Sequence, residues 1–234
     1  MKTIGLIGGM SWESSLAYYQ IINEEVKKRL GGLHSAKCIL HSIDFAEVER
    51  FQREGEWEKA GVILGEVAQS LEKGRADFIL LCTNTMHKVI HHIEDAVNIP
   101  VLHIADATAN EIRGEGLSKV GLLGTTYTME QDFYRKRLNA HGIDVIVPPS
   151  PQRKAINRII YEELCLGVIQ SSSKQQYELV IQELVDQGAE GIVLGCTEIG
   201  LLIKQEDIAI PLFDTALIHA VEAVKEALNA NERA

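Results

Sequence analysis

A chain of 234 residues can form one large domain or two small ones, and either can bury a core without disulfide or metal staples. With 46% apolar and 24% charged residues the composition is that of an ordinary folded protein, which sets aside disordered and fibrous classes. The formal charge of −10 has no basic cluster set against it, so nucleic acid and anionic membrane surfaces are excluded as partners and an anionic ligand would need a local site.

The start, "MKTIGLIGGM", lacks a long apolar core with a cleavage signal and reads as a first β-strand, "TIGLIG" at 3–8. A helical stretch over 12–29 leads to a strand "KCILHSI" at 37–43, and another over 56–73 leads to "DFILLC" at 77–82. "PVLHI" at 100–104 and "KVGLLG" at 119–124 are the next strands, followed by a helix over 127–141 and "DVIVP" at 144–148. Helices over 153–166 and 174–187 precede "GIVLGC" at 191–196, and "PLF" at 211–213 is the last strand. Short β-rich runs alternating with longer amphipathic stretches predict an α/β fold, with parallel strands joined by crossover helices. No apolar run reaches membrane-spanning length, so a cytoplasmic protein with no membrane contact is expected.

The chain reads twice. "IGLIG" at 4–8 matches "VGLLG" at 120–124, "GRADFILLCT" at 74–83 matches "GAEGIVLGCT" at 188–197 without a gap, and "IPVLH" at 99–103 matches "IPLFD" at 210–214. One such pair arises by chance between apolar strands; three in one order describe a duplication. The predicted units are residues 1–105 and 106–210. The C-terminal segment 211–234, with its helix "ALIHAVEAVKEALN", is expected to pack on the first unit, because the "IPLF" strand follows the second unit's cysteine strand. No Pro/Gly/Ser-rich linker separates the units.

Four cysteines, at 38, 82, 165 and 196, show neither C-x-x-C spacing nor a Cys/His metal grouping, so they read as free thiols. Cys38 and Cys165 read as small buried hydrophobes. Cys82 and Cys196 stand at matching places of the repeat, each at the carboxyl end of a predicted parallel strand, where α/β sheets collect ligands. Each is followed by Thr and a polar residue, Asn84 or Glu198, a poor sequence for core filler. If the halves face each other about a pseudo-twofold axis, the two thiols flank one small pocket. A helix N-terminus favours an anion by about 0.3–1 kcal/mol, up to ~2 when partly buried, so each thiol is expected to lie as much as one pKa unit below the usual value of roughly 8.5. Two such groups on opposite faces of one carbon form an acid/base pair whose product is the mirror image.

Other chemistries lack parts. A cysteine hydrolase wants one thiol activated by a histidine and gives no reason for two symmetric thiols. His87, His91 and His92 have helical spacing but no third ligand type in view, so they read as a solvated helix face and no metal is expected. Gly5, Gly8 and Gly9 do not match G-x-G-x-x-G, although backbone N–H groups near Met10 and Ser11 would suit an anionic ligand.

"ILLCTNTMHK" and "IVLGCTEIGLL" resemble the two cysteine signatures of the cofactor-independent aspartate/glutamate racemases, with C-T-E as in the aspartate branch. "GGMSWES", "HSAKCILHSIDF", "FQREGEW", "LLGTTYTMEQDFY" and "IIYEELCLG" are most similar to the branch of broad-specificity amino-acid racemases, and the resemblance covers essentially the whole chain. It implies two pseudo-symmetric Rossmann-like or flavodoxin-like parallel-sheet domains with the active site in the cleft between them. It also implies a homodimer, an amino-acid substrate, and a two-base mechanism without pyridoxal phosphate or any other cofactor. By the family pattern Cys82 takes the α-proton of the D-enantiomer and Cys196 that of the L-enantiomer. Asn84, Thr85 and Thr197, with nearby backbone N–H groups, would hold the α-carboxylate, and Thr83 belongs with the substrate-binding residues, although Thr and Asn also cap helices well. Met10, Gln52, Thr125 and Thr128 occupy family positions near the substrate, and Glu198 would orient the ammonium group or the second thiol. Where aspartate-specific relatives place a basic residue before the glycine of "ELCLG", this chain has Cys165 and its neighbours, leaving Arg53 and Lys154 as substitutes. Rival readings are a hydantoin racemase or maleate isomerase on the same scaffold, a decarboxylase, which needs only one cysteine, and a non-catalytic amino-acid sensor.

Overall fold

A computed structural model describes residues 1–229, so the end of the expected C-terminal segment, 230–234, lies outside the described residues. β1 (Ile4–Gly8) is followed by α1 (Trp12–Leu30), β2 (Cys38–Ser42), α2 (Phe45–Glu54), α3 (Trp57–Lys73) and β3 (Phe78–Leu81). A 3-10 turn, Thr85–Val89, runs into α4 (Ile90–Glu94), and β4 (Val101–Leu102) comes next. The four strands are parallel in the order β2-β1-β3-β4, with Ile4 beside Cys38 on one side and Phe78 on the other. β1 and β3 are buried at every residue, as inner strands of a parallel sheet covered on both faces must be, and edge strand β2 is only partly covered. Ile7, Val48, Leu64, Ile79, Leu81 and Ile93 belong to the core of this sheet.

The second half repeats the plan. After α5 (Ile104–Gly114) come β5 (Lys119–Gly124), α6 (Thr126–Glu130), α7 (Asp132–Ala140), β6 (Asp144–Ile146), α8 (Ser150–Glu162) and α9 (Ser171–Asp186). β7 (Gly191–Gly195), α10 (Ile199–Leu202), β8 (Leu212–Asp214) and α11 (Thr215–Leu228) complete it. Its parallel sheet has the order β6-β5-β7-β8, strand for strand that of the first, and its core includes Leu123, Ile156, Ile160, Tyr177, Ile181 and Ile192. The described residues divide into two compact units: residues 1–104 with 219–229, and residues 105–218. β8 pairs with β7, so the second sheet extends past residue 210. In the first unit Lys2 N–H donates to Ala227 O at 2.9 Å and the Lys2 ammonium pairs with Glu226.

Three local features depart from the sequence reading. The single helix expected over 127–141 is two, because Gln131 is extended (φ −88°, ψ 150°), ending α6 and starting α7. The stretch 153–166 is α8 plus a separate 3-10 turn, Leu164–Leu166, closed by Gly167 at φ 70°. α2 adds a helix that buries Val48, Phe51 and Gln52. Among the described residues no helix is long and apolar enough to cross a membrane.

Candidate active site

In the first unit β3 ends at Leu81, and Cys82 is the next residue; its N–H still donates to Ile7 O at 2.9 Å, prolonging the ladder to β1. The Cys82 carbonyl accepts from Ser14 Oγ of α1 at 3.3 Å. Thr83 N–H turns back to Leu81 O at 2.9 Å, and Thr83, Asn84 and Thr85 are buried as the chain enters the 3-10 turn. Gln52, buried on α2, donates to Met86 Sδ at 3.0 Å, and Met10 lies in the same core cluster as Met86. Met10, Gln52, Cys82, Thr83, Asn84 and Thr85 therefore all belong to this unit, Gln52 joined to the cysteine turn through Met86. Between β1 and α1, Gly9 has φ +94° and a Cβ there would meet Ile43 O at 2.2 Å, so only glycine fits. Its N–H is taken by Ser15 Oγ at 2.7 Å, and Ser11 caps α1 by accepting from Ser14 N–H at 3.3 Å.

In the second unit Cys196 follows β7 in the same way. Its thiol donates to Glu198 Oε2 at 2.9 Å, which also accepts from Thr197 Oγ1 at 2.8 Å. Glu198 thus lies on the thiol. Gly195 pairs with Gly124 of β5, and a Cβ at Gly195 would meet Leu123 O at 2.9 Å and Thr128 Cγ2 at 3.2 Å. This close approach brings Thr125 and Thr128 beside the end of β7. Thr125 caps α6 by accepting from Thr128 N–H, and the two hydroxyls lie 3.2 Å apart. Thr128 is fully buried, so its hydroxyl serves the turn.

Both thiols depart from the expected acidity. Burial pushes Cys82 well above the usual thiol value, and burial, then the Glu198 carboxylate, then Cys165 push Cys196 up. The helices that come after them are short, a 3-10 turn after Cys82 and the four-residue α10 after Cys196, so little macrodipole opposes desolvation. The two groups are held as protonated thiols, which corrects the expectation of a lowered pKa. Tyr177 and Cys165 pack with Cys196; burial first, then the charges of Cys196, Glu163, Glu198 and Cys165, push the Tyr177 phenol up, and Glu163 accepts from Ser173 Oγ at 2.5 Å. Glu163 and Cys165 lie within "IIYEELCLG" and Tyr177 in none of the quoted motifs, and only the packing of β7, α9 and the turn after α8 assembles them.

The histidines also differ from their sequence reading. His87 is buried and bonded on both ring nitrogens, whereas His91 and His92 lie outward. Glu58, His91 and His92 bring possible ligand atoms within 4.8 Å of one another, so a third ligand type does lie near the pair. It comes from α3: Gly61 lies under the His92 ring, where a Cβ would be 2.2 Å from Cδ2, and Glu58 Oε2 bonds His92 Nε2 at 2.9 Å. Cys38 and Cys165 are half-buried rather than sealed in the core. Arg53 pairs with Glu49 on the surface of α2 and Lys154 is exposed, so both are solvated charges.

The family model described as Asp/Glu/Hydantoin racemase matches residues 7–223. The chain is 31% identical over 169 residues to the broad specificity amino-acid racemase RacX of Bacillus subtilis (strain 168), covering 71% of this chain and 70% of that protein. Among solved structures it is similar to a candidate Asp/Glu racemase from Yersinia pestis, with 56% identity and a TM-score of 0.91 over 97% of this chain and 100% of that one. An aspartate racemase homologue from Pyrococcus horikoshii OT3 has the same chain path, with 39% identity and a TM-score of 0.86 over 97% of this chain and 99% of that one.

Proposed function

Because the chain belongs to the Asp/Glu/Hydantoin racemase family, whose members are isomerases, we propose that it is an amino-acid racemase in which Cys82 and Cys196 exchange the substrate's α-proton. The observation that carries this reading is the equivalence of the two cysteines: each is the first residue beyond the third strand in sequence of a four-stranded parallel sheet, and the two sheets have one strand order. A duplicated scaffold that ends both copies of one strand in a thiol supports a reaction with two mirror-related half-steps.

In the proposed scheme one sulfur, as thiolate, removes the α-proton, and the electron pair of the C–H bond remains on carbon, stabilised by the adjacent carboxylate. The other thiol then donates its proton to the opposite face. The product is the antipode, the roles of the two sulfurs are exchanged, and only protons move, so the scheme calls on no cofactor. Cys82 serves the D-enantiomer and Cys196 the L-enantiomer. A buried thiol is a proton donor before it is a base, so abstraction by Cys196 needs a group to take its proton. The Glu198 carboxylate, 2.9 Å away, is suited to that role. Thr83, Asn84, Thr85 and Thr197 supply donors for the α-carboxylate, with Met10, Gln52, Thr125 and Thr128 shaping the surroundings. Arg53 and Lys154, the two cations considered for an acidic side chain, are both exposed, which favours a broad amino-acid panel over aspartate and glutamate alone.

The test is incubation of enantiopure amino acids, aspartate and glutamate first, in deuterated water. The expected result is the antipode labelled at the α-carbon; absence of both inversion and label across the common amino acids would end the proposal.

The reading includes a homodimer. Trp12, Leu16 and Tyr19 of α1 and Leu40 of edge strand β2 are exposed apolar side chains that line one surface depression with Cys38, a face that pairing would cover. Light scattering should give the mass of two chains, and Leu16→Glu should reduce it to one; a monomeric parent would remove this part.

A further inference from the structure

We infer that His87 is a positioning residue for Cys82, locked as one neutral tautomer between two backbone groups of the first unit. Its Nδ1 lies 2.7 Å from Thr83 O, and Ile104 N–H donates to its Nε2 at 3.3 Å. A carbonyl can only accept and a backbone amide can only donate, so Nδ1 carries the proton and Nε2 is bare. The ring thereby ties the turn that holds Cys82 to the residue two positions beyond β4, across the inside of the unit.

The Cys82 turn needs such a tie. Thr83 N–H bends back to Leu81 O, which takes the chain out of the sheet ladder at the residue after the thiol, and the buried Thr83 carbonyl is met by the His87 ring. Ser14 holds the preceding carbonyl, that of Cys82, at 3.3 Å. The two successive carbonyls that follow the sulfur-bearing Cα are therefore pinned from different elements.

The ring itself has little room to turn. His103 packs against it with centroids 4.5 Å apart at 61°, and the His219 ring lies 6.2 Å away at 67°. His219 is fixed in turn, its Nε2–H donating to Leu102 O at 3.0 Å and its Nδ1 accepting from Tyr18 OH at 2.9 Å. Three buried imidazoles form a wall behind the cysteine turn.

The inference rests on the reading of Cys82 as the base for the D-enantiomer, and its test separates the two claims. In His87→Asn the side-chain amide stands where Nδ1–H stood and can still hold Thr83 O; in His87→Gln it stands near Nε2 and can meet only Ile104. Both variants would first be confirmed as folded by circular dichroism and thermal melting. α-Hydrogen exchange of the D-enantiomer in deuterated water should fall about 10²-fold in H87Q, the scale set by a misplacement of about 1 Å, while exchange of the L-enantiomer is kept. H87N should retain both. A second readout is independent of racemisation: alkylation of Cys82 by iodoacetamide, followed by mass spectrometry of the Cys82-containing peptide after digestion, should be faster in H87Q than in H87N or the parent. Equal losses for the two enantiomers in H87Q, or H87N and H87Q alike in D-exchange and alkylation, would overturn the positioning role. If the parent exchanges no amino acid at all, the racemase reading fails, and the alkylation order alone decides the role of His87.

Discussion

Cys82→Ala and Cys196→Ala should each lower racemisation by about 10² to 10⁴-fold, the range that one positioned acid or base supplies. The losses should be asymmetric in the partial reactions. On the proposed two-base scheme the protein without Cys82 would keep a base for the L-enantiomer and should still wash out its α-hydrogen without inverting it; without Cys196 the same should hold for the D-enantiomer. Neither substitution leaves a polar group stranded in the Cys82 turn, whose backbone bonds run to Ile7 and Ser14. Removing Cys196 takes away one donor to Glu198 Oε2, so that variant's folding should be monitored by thermal melting alongside. Full racemisation by both single variants would rule out the two-base scheme, and stereoselective binding without any exchange in the parent would favour a sensor.

Stability should fall steeply in acid through His219. Burial holds this imidazole at a pKa of about 3 against an ordinary 6.5, with the carbonyl of Leu102 opposing the shift and His103 adding to it. Between those values the unfolded chain takes up a proton that the folded chain refuses. The stabilisation is therefore complete above pH 6.5 and is lost as the pH falls towards 3. At about 1.4 kcal/mol per pKa unit the full interval corresponds to roughly 4–5 kcal/mol, a large part of a typical folding free energy. Urea unfolding midpoints measured from pH 7 to pH 4 should decline accordingly, and His219→Gln, which does not titrate, should show a much flatter decline whatever its stability at pH 7. Parallel declines for parent and variant would refute the assignment. Several carboxylates with lowered pKa, among them Glu25 and Asp207, lose stabilisation in the same direction, but only below their ordinary values of 4.5 and 3.8. The interval from 6.5 to about 5 separates histidine titration from that of these carboxylates, and the difference between parent and His219→Gln within it assigns the share of His219.

The thiols make the opposite case at high pH. Their raised values mean that the folded state prefers them protonated, so they weaken folding only as the pH climbs past the ordinary thiol range. Sequence spacing leads to a different expectation because it registers only the neighbours of a cysteine along the chain. It shows a helix start after Cys82, but neither the shortness of that helix nor the complete burial of the sulfur.

What the sequence determined by itself is the architecture and its repetition. An inner parallel strand is apolar at every position, and a strand-helix-strand unit has a fixed minimum length, so "IGLIG", "FILLC" and "GIVLGC" announce two similar α/β units. The equivalence of Cys82 and Cys196 is likewise a matter of counting along the chain. What only the tertiary structure decided is the state of the groups: protonated thiols, Glu198 on Cys196, Glu58 beside His92, and His87 turned inward with a single tautomer. The physical reason is that periodicity arises from each residue's own backbone geometry, whereas acidity and hydrogen-bond direction depend on atoms that folding brings from distant positions. Ser14, Ile104 and Tyr18 hold the cysteine turn and the histidine wall behind it, yet none is a neighbour in sequence of the residue it binds.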